Sequence, residues 1–568
     1  MTARRRLAAR AAAAALPLLL GACAPAAVSR AGASGPAGAA GVPQAADAPD
    51  ATDGAGGSGT VPEEANGRRN GAAGGAPAAT GPARLEDAVR HAEAGERALA
   101  AGDAPTALAA FERASSVLGA AAVYGRADPD AFGDVARRVA AGEAAAHLAA
   151  GDPYLARLAA LRALNSDPAD PSLLVLLGTA AYREARFAEA DSAFGEAVRR
   201  DPSLAAAHAG LGLLDLSANR LASARDRLRR SLDLEETPEV LRLLARIAVL
   251  ERDYAEAARR LRQAAERDPR LPDARRAQIR ERARVYDRLG DGRGSRFRRP
   301  VTRGQLRFDL ARGDEVPLLP VRVNGRDPVY LILDTGAEDH VLDLAFAREL
   351  GLELSRPVGS IESTLGGAER RLAVLDSLNL DGIVVERVPV SVADLTVLGL
   401  GGRGSYTVGG VLSPALLFRD FLVRVDFARR TIELERYDAG GSGYLSRRPA
   451  LRRDSVPLRF NADGTGMVVA AEVGASRRHA MLVDTGASDL YLDAGLARAL
   501  DVDPLDLTVA LGDVRRTRLR AHLLRDRAAA GDPGEPRGVA LDGVLGYPFF
   551  RGLRLVFDWY HGLLLLES

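Results

Sequence analysis

The sequence predicts a multidomain chain in which an α-helical solenoid of repeats is followed by a mostly β region with two similar halves. Three observations predict this fold class. A helical pattern with a period of about 34 residues runs over residues 84–290. Short apolar runs separated by turns follow from residue 305 onward. The phrase Asp-Thr-Gly-Ala occurs twice in that second part, beginning at Asp334 and at Asp484, each time directly after an apolar run.

Length and composition allow several domains and exclude some classes of function. The chain has 568 residues, of which 47% are hydrophobic and 27% are charged, a balance typical of soluble domains. A net charge of +1 gives no electrostatic reason to expect a nucleic-acid partner. The sequence contains no lysine, which excludes a phosphate-binding loop of the kind that depends on lysine.

The N-terminus has the pattern of a secretory signal. Basic residues at positions 4–6 and 10 precede an apolar stretch that is shorter than the roughly 20 residues of a transmembrane helix. The ending Leu-Gly-Ala-Cys resembles the bacterial lipoprotein box, in which the cysteine is lipidated and becomes the mature N-terminus. This resemblance implies that residues 1–22 are a lipoprotein signal peptide and that Cys23 carries the lipid. The alternative is a simple secretory signal with an incidental cysteine.

The residues around Cys23 predict where the chain is located. Ala24 is not an aspartate, so the resemblance implies a bacterial cell-envelope protein, anchored by lipid in the outer membrane and facing the periplasm. Cys23 is the single cysteine, so no disulfide can form within the chain. Residues 23–82 have almost no large apolar side chain and cannot offset their ordering entropy, which predicts a disordered tether. Contact with the membrane is expected through the lipid anchor only.

The helical pattern over residues 84–290 repeats regularly. Small residues recur at positions 178, 212 and 245, and Asp-Pro pairs at 167–168, 201–202 and 268–269 mark where helices should end. The pattern resembles tetratricopeptide repeats. That resemblance implies two antiparallel helices per unit and a concave surface on which a protein or peptide partner could bind. The stretches before residue 165 are weaker copies, and an irregular Ala-rich helical bundle is the alternative there.

The β region carries a second resemblance. Residues 291–304 are rich in Gly and Arg, which predicts a linker. In the region after it, each half contains one Asp-Thr-Gly, followed later by a Val-Leu pair and a closing strand with Val, Asp and Phe. The region resembles the retropepsin-like and pepsin-like aspartic peptidases. The resemblance implies a bilobal fold, with lobe one at 305–438 and lobe two at 450–568, in which the Val-Leu strand threads behind the Asp-Thr-Gly turn.

Paired aspartates are suited to amide hydrolysis without a covalent intermediate. The ionised carboxylate takes a proton from water, while the protonated one donates its proton to the carbonyl oxygen. Like charges this close cannot both ionise at low cost, so the pair titrates as a unit. The sequence therefore predicts an aspartic endopeptidase with Asp334 and Asp484 as its catalytic residues and a protein or peptide as its substrate.

The resemblance also implies roles for residues that support the pair. Thr335 and Thr485 are expected to hydrogen-bond across the lobe interface, while Gly336 and Gly486 let the backbone turn tightly. A mobile flap is expected over the substrate in lobe one. The candidate flap residues are Thr364, Leu365, Gly366 and Gly367.

Three positions qualify this interpretation. Ala337 and Ala487 stand where a Ser or Thr could donate a hydrogen bond to the carboxylate, so we expect activity at mildly acidic to near-neutral pH. Ser413 replaces the glycine of the Val-Leu-Gly element, which leaves open a degenerate lobe one. The alternative function is a non-catalytic scaffold, in which the repeats and the peptidase-like region both bind protein. The seven histidines show no metal-ligand spacing, so neither a metal nor a cofactor is expected.

Overall fold

The computed structural model describes residues 85–124, 129–269, 271–290, 294–310, 316–362, 367–400, 402–403, 406–437, 455–462, 464–474, 478–524 and 538–567. The expected signal peptide, the tether and Cys23 lie outside these residues. Within the described ranges, no helix has both the length and the apolar character to cross a membrane.

The first part of the chain is helical, and its helices pack in consecutive pairs followed by one further helix. This confirms the fold predicted for the first part. The helices are α1 (Leu85–Ala101), α2 (Ala104–Tyr124), α3 (Pro129–Ala150), α4 (Pro153–Ser166), α5 (Pro171–Arg183), α6 (Phe187–Arg200), α7 (Ala205–Ser217), α8 (Leu221–Leu234), α9 (Pro238–Leu250), α10 (Tyr254–Arg267) and α11 (Asp273–Leu289).

Local sequence signals set the helix ends. Helices α4, α5 and α9 begin with proline, whose missing N–H is not needed in the first turn. The residue before each of these prolines accepts a hydrogen bond from a backbone N–H of the first turn. These capping residues are Asp152, Asp170 and Thr237. The aspartates of the three Asp-Pro pairs, Asp167, Asp201 and Asp268, each directly follow a helix.

Glycines let the helices approach one another closely. A Cβ atom on Gly178 would lie 2.8 Å from the ring of Phe194, and one on Gly210 would lie 2.4 Å from it. The same arrangement recurs earlier, where Cβ atoms on Gly95 and Gly142 would lie 2.7 and 2.2 Å from the ring of Phe111. The weak first units therefore pack like the later ones and are not an irregular bundle.

The turn inside each of the last three pairs has the same backbone conformation. Ala185, Asn219 and Arg252 occupy equivalent positions in successive repeats and have φ of 58°, 59° and 63°. This left-handed conformation is unusual for residues other than glycine. Its recurrence shows that one turn geometry is repeated along the solenoid.

The second part of the chain is mostly β, as predicted. Lobe one contains β1 (Arg296–Phe297), β2 (Arg303–Arg307), β3 (Asp309–Leu310), β4 (Pro317–Val323), β5 (Pro328–Leu333), β6 (Val341–Asp343), α12 (Leu344–Glu349), β7 (Gly359–Glu362), β8 (Gly367–Leu380), β9 (Ile383–Ala393), β10 (Gly402–Arg403), β11 (Tyr406–Leu412), α13 (Pro414–Leu417), β12 (Phe421–Asp426) and β13 (Thr431–Arg436).

Lobe two has a similar order of strands and helices. It contains β14 (Val456–Pro457), β15 (Arg459–Phe460), β16 (Met467–Val473), β17 (Arg478–Val483), β18 (Leu490–Asp493), α14 (Ala494–Leu500), β19 (Leu507–Leu511), β20 (Val514–Leu519), β21 (Ala521–Leu524), β22 (Gly543–Leu545), α15 (Tyr547–Phe550), β23 (Arg554–Asp558) and β24 (Leu563–Glu567).

Each lobe has its own sheet, and a third sheet joins them. The lobe-one sheet has the order β1-β9-β6-β11-β5-β4-β8-β7, and the lobe-two sheet has the order β20-β19-β16-β17-β22-β18-β21. The joining sheet, β14-β24-β23-β12-β13-β2, takes three strands from each lobe. Its centre is the antiparallel pairing of β12 with β23, the two closing strands that resemble each other in sequence. One apolar core extends through both lobes.

The segment expected to be a linker packs against lobe one. Arg296 pairs with Glu386 of β9, and the backbone N–H of Arg298 donates to the carbonyl oxygen of Val384 at 2.9 Å. The ring of Phe297 makes an edge contact with that of Phe421, with centroids 5.5 Å apart. Residues 294–303 therefore form a bound connection.

The first helices of the last three pairs, α5, α7 and α9, pack on lobe two and share an apolar cluster with it. The lobe-two members of this cluster are Ala462, Val468, Ala480 and Val539. Polar contacts accompany the apolar ones. The N–H of Ala540 donates to the carbonyl oxygen of Arg183 at 2.8 Å, and Asn219 Nδ2 donates to that of Trp559 at 3.0 Å. The resemblance to tetratricopeptide repeats implies a concave surface for a partner. In the last three pairs, the chain's own β region covers the face formed by α5, α7 and α9.

Two helix-interior glycines provide a matched test of the repeat packing. We predict that Gly210→Ala lowers the free energy of unfolding by about 1–3 kcal/mol, because the new methyl group meets the buried ring of Phe194. Gly195→Ala should raise it by about 0.5–1 kcal/mol, because a Cβ there meets only Arg199 at 3.6 Å and alanine favours the helix. Denaturant unfolding of both variants checks the signs, and equal effects would contradict the packing described.

Candidate active site

Parallel strands bring each aspartate to its position. Strand β5 runs parallel to β11 and ends at Leu333, so that Asp334 is the first residue beyond it. Its N–H donates to the carbonyl oxygen of Leu412 at 3.0 Å. In lobe two, β17 runs parallel to β22, and the N–H of Asp484 donates to the carbonyl oxygen of Leu545 at 3.0 Å. The Val-Leu strand therefore lies behind the turn in both lobes.

The threonines of the two turns bind each other's loops reciprocally. The N–H of Thr335 donates to Oγ1 of Thr485 at 3.2 Å, and the N–H of Thr485 donates to Oγ1 of Thr335 at 3.0 Å. The hydroxyl of Thr335 donates to the carbonyl oxygen of Val483, and that of Thr485 to Leu333, each at 2.7 Å. Both threonines are buried, so these four bonds are shielded from water and fix one loop against the other.

The two carboxyl groups meet beside this contact. Gly336 N–H donates to Asp334 Oδ1 at 2.7 Å, and Gly486 N–H donates to Asp484 Oδ1 at 2.8 Å. The two carboxyl groups lie side by side, because a Cβ on Gly336 would contact both Asp484 Oδ2, at 2.9 Å, and Asp334 Oδ1, at 3.2 Å. Each lies against the opposite glycine: a Cβ on Gly336 would be 2.9 Å from Asp484 Oδ2, and one on Gly486 would be 2.7 Å from Asp334 Cγ. Only glycine leaves room for this approach.

Burial raises the pKa of both carboxyl groups. Removal from water is the largest cause for Asp334 and for Asp484, because it penalises the charged form. The charge of Asp334 raises the pKa of Asp484 further, while backbone N–H donors oppose the rise at both groups. The pair therefore retains one proton at a pH where an ordinary aspartate is ionised.

Ser413, the departure from the family pattern, is fully accommodated. It is completely buried, its Oγ donates to the carbonyl oxygen of Ala337 at 2.8 Å, and its N–H donates to Nδ1 of His340 at 3.1 Å. Burial lowers the pKa of His340 to about 4, so the ring is neutral and Nδ1 can accept this bond. The serine thus supports the loop that carries Asp334.

In lobe two, different residues form the equivalent hydrogen bond to the turn. There the carbonyl oxygen of Ala487 accepts from the N–H of Tyr547 at 2.9 Å. The equivalent residue of lobe one is Pro414, which has no N–H, so the serine hydroxyl takes over as the donor. Serine could not replace Gly546, because a Cβ there would lie 2.0 Å from the carbonyl oxygen of Asp489. Ser413-Pro414 in lobe one and Gly546-Tyr547 in lobe two therefore each donate one hydrogen bond to the carbonyl oxygen of the alanine in the turn.

The expected flap corresponds to a hairpin. Strands β7 and β8 pair antiparallel, with Glu362 opposite Gly367. Thr364, Leu365 and Gly366 lie outside the described residues. In lobe two, β19 and β20 form the equivalent hairpin.

Some residues around the site were missed by sequence reasoning. Asp339 and His340 lie in the loop that continues from the lobe-one turn, and Arg246 of helix α9 contacts the same loop. The sequence did contain a signal for Asp339, because Asp339 and Asp489 lie the same number of residues after their respective turns. No sequence pattern pointed to Arg246, since its contact depends on how the repeats dock.

Comparisons with known proteins agree with the β region's geometry. A sequence model of the family described as Aspartyl protease matches residues 319–417, which include Asp334 and Ser413. No curated protein matches the chain. The chain thus joins tetratricopeptide-type helices to a region with an aspartyl protease family domain.

Solved structures similar to this chain match different shares of it. A thermophilic TPR protein of Thermus thermophilus is 21% identical, covers 36% of this chain and 100% of its own, and has a TM-score of 0.29. Pseudomonas aeruginosa pilF is 23% identical, covers 36% and 85%, and has a TM-score of 0.28. The structure of edgp is 10% identical, covers 48% and 96%, and also scores 0.28. These scores are too low to support an argument.

The raised pKa of the pair predicts an unusual pH dependence of stability. A carboxyl whose pKa is higher in the folded state stabilises the protein fully below its unfolded pKa, and this stability is lost as pH rises through the folded pKa. We compare the free energy of unfolding of Asp484→Asn with that of the wild type at each pH. We predict that the difference, variant minus wild type, is more positive at pH 7 than at pH 4, by about 1.4 kcal/mol for each unit by which folding raises the pKa of Asp484.

Asp339 provides the control of opposite sign. Burial alone would raise its pKa, but Arg370, Arg246 and Arg282 lower it to about 2. Its stabilising effect is therefore present above its unfolded pKa and lost as pH falls toward 2, so Asp339→Asn should destabilise the protein at pH 7. Thermal unfolding between pH 2 and 8 measures both. A destabilisation by Asp484→Asn that is the same at every pH would contradict the raised pKa.

Proposed function

We propose that the chain is an aspartic endopeptidase of the bacterial cell envelope, which hydrolyses peptide bonds with a water molecule activated between Asp334 and Asp484. The observation that carries this proposal is the reciprocal threonine contact, which holds two half-buried carboxyl groups of one chain side by side at the two turns. A scaffold would have no need for this arrangement, because burying two carboxyl groups together is costly.

The proposed reaction uses one proton shared by the pair. The ionised carboxylate takes a proton from the water, whose oxygen bonds to the carbonyl carbon of the peptide, while the protonated carboxyl donates to the carbonyl oxygen. In the tetrahedral intermediate, the pair donates its proton to the nitrogen as the C–N bond breaks, and it takes one proton back from a hydroxyl group of the intermediate, whose oxygen becomes the new carbonyl oxygen. A carboxylic acid and an amine leave, and the pair again holds one proton. No covalent bond to the protein forms.

The raised pKa of the pair supports activity at mildly acidic to near-neutral pH. General acid–base catalysis is most effective when the pKa lies near the working pH. Burial raises the pKa of both carboxyl groups toward that range. The alanines at 337 and 487 supply no side-chain donor that would lower the pKa again.

Anchoring and partner binding belong to the same proposal. The sequence pattern before Cys23 supports a lipid anchor, which would place the peptidase at the outer membrane on its periplasmic side. A protein or peptide partner of the repeats would contact the outer helices α6, α8 and α10 or the first two units, because α5, α7 and α9 pack on lobe two. The partner is proposed by analogy with other repeats of this type.

Replacing either aspartate tests the reaction. We predict that Asp334→Asn and Asp484→Asn each lower kcat/KM for an unfolded protein or a peptide library by at least about 1,000-fold, because one carboxyl group cannot supply both the acid and the base. Cleavage is followed by mass spectrometry of the products at pH 4–8.

Asp420→Asn serves as the matched control, because Asp420 makes a partly exposed contact with Arg252 at 3.1 Å. It should retain wild-type cleavage. A wild-type chain that binds peptides without cleaving them at any pH would favour the scaffold. Full activity in Asp334→Asn would show that lobe one does not supply the catalytic carboxylate.

A further inference from the structure

Helix α9 of the repeats reaches the loop that carries Asp334. Arg246 Nη2 donates to the carbonyl oxygen of Glu338 at 3.1 Å and to Oγ1 of Thr465 at 3.2 Å. Thr465, which is fully buried in lobe two, donates in turn to the same carbonyl oxygen at 3.3 Å. Three parts of the chain, namely the repeats and both lobes, therefore meet at one backbone carbonyl, four residues after Asp334.

The next residue in the loop is held from the same side. Arg246 Nη1 lies 3.8 Å from Asp339 Oδ1, and Asp339 also pairs with Arg370 of strand β8. Ser391 Oγ donates to Asp339 Oδ2 and accepts from Arg370 Nε, each at 2.9 Å. The side chains of Arg246, Asp339 and Arg370 are only 18%, 19% and 13% exposed, so water screens their charges weakly. Because Arg370 lies on β8, this cluster also links the repeats to the strand that pairs with β7.

The corresponding loop of lobe two is held differently. Asp489 lies 3.5 Å from Nε2 of His522, a residue of the same lobe, and both side chains are substantially exposed, at 43% and 65%. Exposed pairs of this kind contribute little to rigidity. The lobe-one loop is thus the one that contacts the repeats through a partly buried arginine.

We propose that Arg246 is a positioning residue for the peptidase reaction, through which the repeat domain fixes the loop of Asp334 relative to Asp484. This inference rests on the proposed function. Three bonds hold the loop on successive carbonyl oxygens: Ser413 binds that of Ala337 from within lobe one, while Arg246 of the repeats and Thr465 of lobe two both bind that of Glu338.

The physical reason is geometric. Proton sharing requires the two carboxyl groups to stay in hydrogen-bonding contact, and displacements of about 1 Å at a reacting group can cost about 100-fold in rate. Loss of the guanidinium removes the bond to the carbonyl oxygen of Glu338 and one of the three cations near Asp339, so the repeats hold the loop less firmly. The repeat domain is therefore part of the catalytic apparatus in addition to any role in binding partners.

Steady-state kinetics of the full chain test this role. Arg246→Ala is expected to lower kcat by about 10- to 100-fold with KM within about 2-fold of the wild type, because substrate contacts are retained while alignment is lost. Arg246→Lys keeps the charge beside Asp339 and one donor, so it should restore part of the loss. Asp420→Asn, which weakens another contact between repeats and lobe one by removing its negative charge, should change kcat by less than about 2-fold.

Hydrogen exchange gives a readout that does not depend on cleavage. The backbone amides of residues 335–340 should exchange faster in Arg246→Ala than in the wild type or in Asp420→Asn, while the amides of 485–490 change less. If the wild-type chain shows no peptidase activity and the amides still exchange faster in Arg246→Ala, the proposed function is overturned. The role of Arg246 in holding the loop would then stand. Equal kcat and equal exchange in Arg246→Ala and the wild type would overturn the inference, as would an equal loss in Asp420→Asn.

Discussion

The reciprocal hydrogen bonds of Thr335 and Thr485 are the constraint on which the site depends. Each hydroxyl bridges to the opposite lobe, so neither turn can move without breaking bonds at the other. This contact sets the separation of Asp334 and Asp484, and the separation sets their shared proton and raised pKa. The near-symmetry of the contact also explains why both lobes need a glycine after the threonine, since each aspartate occupies the space above the other lobe's turn.

Other parts of the fold hold the two lobes so that this contact can form. The joining sheet pairs β12 of lobe one with β23 of lobe two, and one apolar core runs through both lobes. The repeats also hold the two lobes relative to each other, because α5, α7 and α9 pack on lobe two while Arg246 binds the lobe-one loop. The helical part therefore acts on the peptidase region as a structural support, whatever partner its outer surface binds.

Much of this arrangement could be predicted from local sequence. The spacing of small residues and Asp-Pro pairs identified the repeats, because helix packing and helix ends depend on nearby residues. The duplicated Asp-Thr-Gly identified both aspartates and their threonines. The role of Ser413 was not predictable, since it depends on Pro414 lacking an N–H and on His340 lying opposite in space. Arg246 was hidden for the same reason: it lies far from Glu338 in sequence, and only the docking of the repeats brings them together.

In the proposed reaction, both carboxyl groups of the acid–base pair come from one chain. Mixing equal amounts of the Asp334→Asn and Asp484→Asn variants tests it most directly, with cleavage of an unfolded protein as the measurement. A pair formed within one chain predicts that the mixture stays as inactive as each variant alone, because neither molecule contains two carboxyl groups in its site. Recovery of cleavage in the mixture would show that two chains combine their lobes, and it would contradict the account.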